Sequence, residues 1–217
     1  MPEIYCPICG NIKPENIDLY KQVLRKQNFE SSPIYPTCRK CNSALTLNKI
    51  CNGGEIVVLS GTCGSGKSSV AIELMKNHGF IAIDSDCSMQ SFRYKFNVKQ
   101  VDYRSDEMLA EIANEIDFVR LFSNKIVLAQ IVLKEDIDRY KKIFNERNLK
   151  YRFYILKPSY EKAVDRCQTR RCHANITPEY WIKYFYELLG FNDNVIVIDN
   201  SKLTIEETAN RILLDFT

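Results

Sequence analysis

The sequence predicts an α/β fold: a doubly wound, parallel, five-stranded sheet preceded by a small cysteine-rich module. Three observations carry that expectation. From residue 55 onward, short apolar runs alternate with stretches of helical periodicity, the order produced when crossover helices join parallel strands. Runs such as 56–59 and 195–198 are apolar throughout, as suits strands buried on both faces. The stretch CNGGEI, from Cys51 to Ile56, puts two glycines between the cysteine-rich segment and the first long apolar run. This joint divides the chain into a module over residues 1–50 and a domain over residues 55–217.

Strands are expected at 55–60, 80–83, 125–132, 151–156 and 195–198, and helices at 67–78, 105–122, 134–147, 159–167, 177–189 and 204–215. Two helix starts carry chemical signals. Thr177 is placed as an N-cap, with Pro178 at the first helical position and Glu179 in the first turn. Thr204 and Glu207 have the spacing of a capping box. Trp181, Phe185 and Leu188 recur at helical spacing and read as core. Neither a repeat nor a low-complexity segment is present.

With 217 residues, the chain can form one full α/β domain and a small appendage. Its 45% hydrophobic and 26% charged residues are ordinary for a globular protein. No run approaches the roughly 18 apolar residues of a membrane span. The first ten residues lack the basic-then-apolar pattern of a signal peptide. No membrane association and a cytoplasmic location are therefore expected. The nine cysteines, an odd count, fit a disulfide framework poorly.

Cys6-Pro-Ile-Cys9 and Cys38-Arg-Lys-Cys41 are two CxxC pairs with 28 residues between them. Each pair makes a tight knuckle, and four thiolates can share one tetrahedral Zn²⁺. Cys6, Cys9, Cys38 and Cys41 are thus expected to hold structural zinc in a zinc ribbon or treble clef, with the run NSALTLNK after Cys41 available as the helix of a treble clef. A module of this size gains folding energy from its metal. Residues 1–50 carry seven Lys/Arg against four acids, but four zinc-bound thiolates reduce that excess to about +1. Charge therefore does not favour a nucleic-acid partner.

Gly61-Thr62-Cys63-Gly64-Ser65-Gly66-Lys67-Ser68 satisfies G-x-x-x-x-G-K-[ST] between an expected strand and an amphipathic helix. Glycines allow the backbone N–H groups to turn inward on an anion, and the helix terminus adds positive charge. Lys67 reaches the β and γ phosphates of ATP, and Ser68 ligates Mg²⁺. Ser69, beside it, is a helix residue at the edge of the same cradle. Cys63 is read as a small filler, with a reactive thiol as the alternative.

The second apolar run ends at Asp84-Ser-Asp86, where strand C-termini open onto the ligand crevice. One carboxylate can orient Mg²⁺ and its waters while the other accepts a proton from an incoming hydroxyl. The third run, KIVLAQIVL, has Gln130 where a metal-orienting acid is often sought. After the fourth run, Arg166 and Arg170 are four apart and share a helix face, followed by Arg171. Such cations can neutralise the equatorial oxygens in phosphoryl transfer. His173 reads as a loop histidine without a catalytic role. Cys167 and Cys172 read as packing residues, with a redox pair as the alternative.

The segments GTCGSGKSS, IDSDCSMQ, RCQTRRCHANITPEYW and VIDNSKLTIEETANRIL occur in order over about residues 55–215. Together they resemble the small P-loop kinases of the shikimate kinase, gluconate kinase and chloramphenicol phosphotransferase type. The polynucleotide 5′-hydroxyl kinases and zeta-toxin kinases are more distant relatives. The resemblance implies metal organisation for Asp84, acceptor contact and base action for Asp86, and a lid over about 158–178. Arg170 and Arg166 then serve as transition-state cations and Arg171 as a nucleotide contact, while Asn200 and Ser201 border the adenine. The Gly-rich acceptor loop usual after the third strand is missing, which argues against shikimate itself.

These readings converge on an ATP- and Mg²⁺-dependent kinase acting on a hydroxyl of a small metabolite or nucleoside. One alternative is a polynucleotide 5′-hydroxyl kinase that uses the zinc module to hold nucleic acid. Another is a nucleotide-gated regulatory module with slow hydrolysis. Sequence does not name the acceptor or the oligomeric state.

Overall fold

The computed structural model describes residues 4–6, 10–12, 40, 46–47, 53–86, 88–89, 93, 100, 102–120, 123–169, 177–189 and 195–216. In the N-terminal module, β1 (Ile4–Cys6) pairs antiparallel with β2 (Gly10–Ile12), with Cys6 opposite Gly10. Its other edge pairs with β3 (Thr46–Leu47) through Ile4↔Leu47 and Tyr5↔Thr46. Thr46 and Leu47 are therefore strand, not the helix that a treble clef would place after Cys41. Pairing completes a ladder on β1, and a β-branched residue suits it.

Among the described residues from 54 onward, strand and helix alternate, with two helices in succession before the last strand. The order is β4 (Gly54–Ser60), α1 (Lys67–Asn77), β5 (Ile81–Asp84), α2 (Asp106–Arg120), β6 (Lys125–Ala129), α3 (Ile137–Asn145), β7 (Leu149–Leu156), α4 (Tyr160–Thr169), α5 (Glu179–Leu188), β8 (Ile196–Ile198) and α6 (Ile205–Leu213). The five strands β4 to β8 form one all-parallel sheet in the order β5-β6-β4-β7-β8.

Side-chain alternation along β4 explains why the sheet is covered twice. Ile56 and Val58 face one way, into a cluster with Met108, Ile112 and Ile116 of α2 and Ile137, Tyr140 and Phe144 of α3. Val57 and Leu59 face the other way, into a cluster with Val70, Ala71 and Leu74 of α1 and Ala209 and Ile212 of α6. A strand with a core on each side has no polar face, hence the unbroken IVVL run.

Several boundaries differ from expectation, each for a local reason. The third strand stops at Ala129 although the apolar run continues to Val132. Beyond it the Ser60 hydroxyl takes over the ladder, accepting from Val132 N at 2.9 Å and donating to Val132 O at 3.1 Å. The helix expected from residue 134 begins as a 3₁₀ turn, Lys134–Asp136, before α3. Thr177 is not the cap of α5: Pro178 occupies that position, with ψ 136° and no capping side chain. By contrast, the capping box at α6 is formed, with Glu207 N donating to Thr204 Oγ1 and Thr204 N donating to Glu207.

The phase of α5 also differs. Ile182 is its buried residue, whereas Trp181 is 46% and Leu188 43% exposed, so neither is the core residue that its spacing suggested. Among the described residues, no helix is long and apolar enough to cross a membrane.

Phe144 is fully buried, with the rings of Tyr140, Tyr151 and Phe153 between 5.6 and 6.1 Å away. Phe144→Ala should lower the unfolding free energy in urea by about 3–5 kcal/mol. Thr204→Ala, which removes only the cap, should cost about 1 kcal/mol. Equal losses in the two variants would contradict this account of where stability resides.

Candidate active site

The turn from β4 into α1 carries the phosphate-binding motif. Gly61, Gly64 and Gly66 all have positive φ, at 147°, 78° and 96°. Gly64 has a second constraint, since a Cβ there would run into the Ala163 carbonyl of α4. Gly66 caps α1 without a side chain, and the first turn of that helix holds no acid. Its N-terminal N–H groups and partial positive charge are thus suited to an anion, with no acid in that turn to compete for them.

Neighbouring elements hold the loop from several sides. Thr62 Oγ1 donates to the Ile182 carbonyl of α5 at 2.9 Å, and Asn200 Nδ2 donates to the Ser65 carbonyl at 2.9 Å. Lys67 Nζ donates to the carbonyls of Gly61 at 2.7 Å and Thr62 at 3.0 Å. Burial pushes the Lys67 ammonium below its ordinary pKa, opposed by the negative charge available at Cys63, Asp86 and Asp84. Ser69 is exposed, and Cys63 is partly buried.

Strand register brings Asp84 to this loop. Asp84 pairs with Ala129 of β6, and Ala129 pairs with Leu59 of β4, two residues before Gly61. The Asp84 side chain faces α1, where Ser68 Oγ donates to its Oδ2 at 2.6 Å. Asp86 N donates to the other oxygen at 3.0 Å. Ser85 and Asp86 already have helical backbone, so the strand turns immediately after Asp84 and leaves Asp86 exposed.

Burial, and next the charge of Asp86, raise the Asp84 carboxyl above the ordinary range, while the two hydrogen bonds and Lys67 oppose the shift. Such a carboxylate suits a cation. The Ser68–Asp84 pair thus fits Mg²⁺, whose remaining positions phosphate oxygens and water can fill.

One supporting residue escaped the sequence reading. Glu115 of α2 accepts from Ser88 Oγ at 2.6 Å, securing the turn after Asp84. Its signal was an acid between Ile112 and Ile116, beside the buried stripe of α2. Gln130 is buried just past β6, with its backbone N donating to the Leu59 carbonyl.

Arg166 lies on α4, and its Nη2 donates to the Asn200 carbonyl at 3.0 Å, tying that helix to the loop after β8. Ser201 Oγ accepts from Ser159 N at 2.7 Å in the same region. Cys167, also on α4, is buried. Arg170, Arg171, Cys172 and His173 lie outside the described residues, as do Cys9, Cys38 and Cys41. Cys6 is described only as the last residue of β1. Among the described residues, no group of three or more His, Cys, Asp or Glu could hold a metal ion.

No family model and no curated protein matches the sequence. Solved structures do. The tunicamycin resistance protein of Deinococcus radiodurans is 14% identical with a TM-score of 0.59, the match covering 75% of this chain and 95% of that one. A sugar kinase from Janibacter sp. HTCC2649 is 18% identical with a TM-score of 0.55, covering 74% and 93%. A gluconokinase from Sinorhizobium meliloti 1021 is 20% identical with a TM-score of 0.52, covering 75% and 95%. Across about three quarters of its length, this chain shares the α/β fold of these structures, with its five-stranded all-parallel sheet.

Proposed function

We propose that the protein is an ATP- and Mg²⁺-dependent kinase that transfers the γ-phosphate to a hydroxyl of a small metabolite or nucleoside. The observation that carries this reading is the 2.6 Å bond from Ser68 to buried Asp84, with exposed Asp86 two residues further on. The N–H groups of residues 61–68 and the start of α1 hold the triphosphate, and Lys67 leaves its loop carbonyls for the β and γ oxygens. Ser68 and Asp84 would hold Mg²⁺, which supplies charge neutralisation at those oxygens. Asp86 takes the acceptor proton as the hydroxyl oxygen attacks the γ-phosphorus.

Arg170 and Arg166 are the proposed transition-state cations and Arg171 a nucleotide contact. Arg166 also ties α4 to the Asn200 loop through its Nη2. The four cysteines are proposed to hold structural Zn²⁺. Cys6 ends β1 opposite Gly10 of β2, and a CxxC pair of this kind can place two thiolates on one Zn²⁺.

A second reading, a polynucleotide 5′-hydroxyl kinase, is favoured by one observation. Tyr180, Trp181 and Tyr184 are exposed on α5, with ring centroids 5.1–6.2 Å apart. Aromatic rings of this kind stack on bases, at about 1–3 kcal/mol per base. This reading requires binding of single strands that weakens steeply with salt.

The deciding assay is ATP consumption against pools of metabolites, nucleosides and 5′-hydroxyl oligonucleotides. One pool should stimulate turnover, and Asp86→Asn should reduce it about 100-fold or more while leaving ATP affinity in place. Full acceptor-dependent turnover in that variant would remove Asp86 from the chemistry.

Asp84→Asn should abolish turnover yet raise the melting temperature of the nucleotide-free protein at neutral pH. The raised carboxyl pKa means that ionising Asp84 costs folding energy. That cost is absent below the unfolded-state pKa and grows as pH rises from there through the folded-state pKa. The gain in Asp84→Asn should therefore shrink in acid, and a variant destabilised at neutral pH would contradict this sign.

A further inference from the structure

Two thiols that the proposed phosphoryl transfer does not use lie beside the glycine-rich loop, on either side of its approach to α4. Cys63 is the third residue of the loop and partly exposed, while Cys167 of α4 is 1% exposed. Cys63 packs against the cluster of Ala163, Cys167 and Ile182. The approach of loop and helix is close: a Cβ added at Gly64, next to Cys63, would lie 3.1 Å from Cys167 Sγ. Both thiols are near enough to the Lys67 ammonium to act on it electrostatically.

We infer that Cys63 and Cys167 form a peroxide-sensitive pair, a modification site whose oxidation bridges the phosphate loop to α4 and closes the cradle to triphosphates. Cys63, the more exposed thiol, reacts first. Its thiolate attacks one oxygen of hydrogen peroxide, forming S–O and breaking O–O, and the departing hydroxide takes a proton to become water. Cys167 then loses its proton and attacks the sulfenic sulfur. S–S forms, S–O breaks, and a second water leaves. The two sulfurs together give two electrons to the peroxide, and an external dithiol returns them.

The consequence for the cradle follows from its geometry. Three glycines with positive φ set the course of the loop backbone, and Gly64 has no slack against Ala163. Drawing Cys63 onto α4 displaces that course, because the loop cannot move toward the helix without rotating its peptides.

The test uses the full chain treated with hydrogen peroxide, alkylated, digested and mapped by mass spectrometry. A peptide joining Cys63 to Cys167 should appear and be split by dithiothreitol. Binding of a fluorescent ATP analogue should weaken about tenfold or more as the cross-link accumulates, and recover on reduction. Mg·ATP at ten times its Kd leaves about one molecule in eleven unoccupied, so it should slow cross-linking about tenfold.

Cys167→Ala should give no such peptide, with Cys167→Ser as the substitute should the alanine variant fold poorly. Recovery of Cys63 as a sulfenic or sulfinic acid, or paired elsewhere while Cys167 alkylates normally, would overturn the inference. So would a bridged protein that binds the analogue as tightly as the reduced form. Only the effect on binding rests on the cradle being a nucleotide site. Mass reads the cross-link directly, so failure of the pair and failure of the nucleotide reading are distinguishable.

Discussion

The candidate site depends on a buried carboxylate held beside the helix that follows the glycine-rich loop. Asp84 is the last residue of β5, an edge strand of the sheet, and α1 packs on the face to which Asp84 points. Its two oxygens are met by Ser68 Oγ and Asp86 N, one from a helix across the sheet and one from its own turn. Neither bond removes the cost of ionising a group this buried. The residual demand for positive charge is the physical reason that a divalent cation suits the place.

The cradle is connected to the rest of the domain by side chains as much as by its own backbone. Thr62 reaches α5, Asn200 reaches the Ser65 carbonyl, and Arg166 reaches the Asn200 carbonyl. A movement of α4 or α5 is therefore felt in the loop directly. In the proposed kinase this would link closure over the acceptor to the posture of the phosphate groups, and the thiol pair would act on the same connection. The aromatic face of α5 sits on the helix that Thr62 grips, so a ligand stacked there would be mechanically close to the transferred group.

Much of this was legible in the chain itself. The phosphate loop is a local structure: three glycines, one lysine and one serine at fixed spacing suffice because backbone dihedrals and a helix terminus create the anion site. The strand runs were legible because burial on both faces leaves no polar alternation. The capping box at α6 was legible because Thr204 and Glu207 satisfy each other within one turn. Where two local signals competed, the reading went astray, as at α5. There Trp181, Phe185 and Leu188 share a helical stripe, but Ile182 beside them faces the α4 cluster.

By itself, the sequence determined the strand–helix alternation, the glycine-rich loop, the acids at the end of β5 and the two cysteine pairs, all of which rest on patterns within a few residues. Tertiary structure alone decided which acid is buried against Ser68 and which is exposed, because β5 reaches the loop only through the register of β6 against β4. It decided that Arg166 bonds to the Asn200 carbonyl and that Cys63 packs against the cluster of Ala163, Cys167 and Ile182, at least a hundred positions further along the chain. It also turned the aromatic stripe of α5 outward. Such outcomes depend on which helix faces cover the sheet, and periodicity within one helix names a face without naming its neighbour.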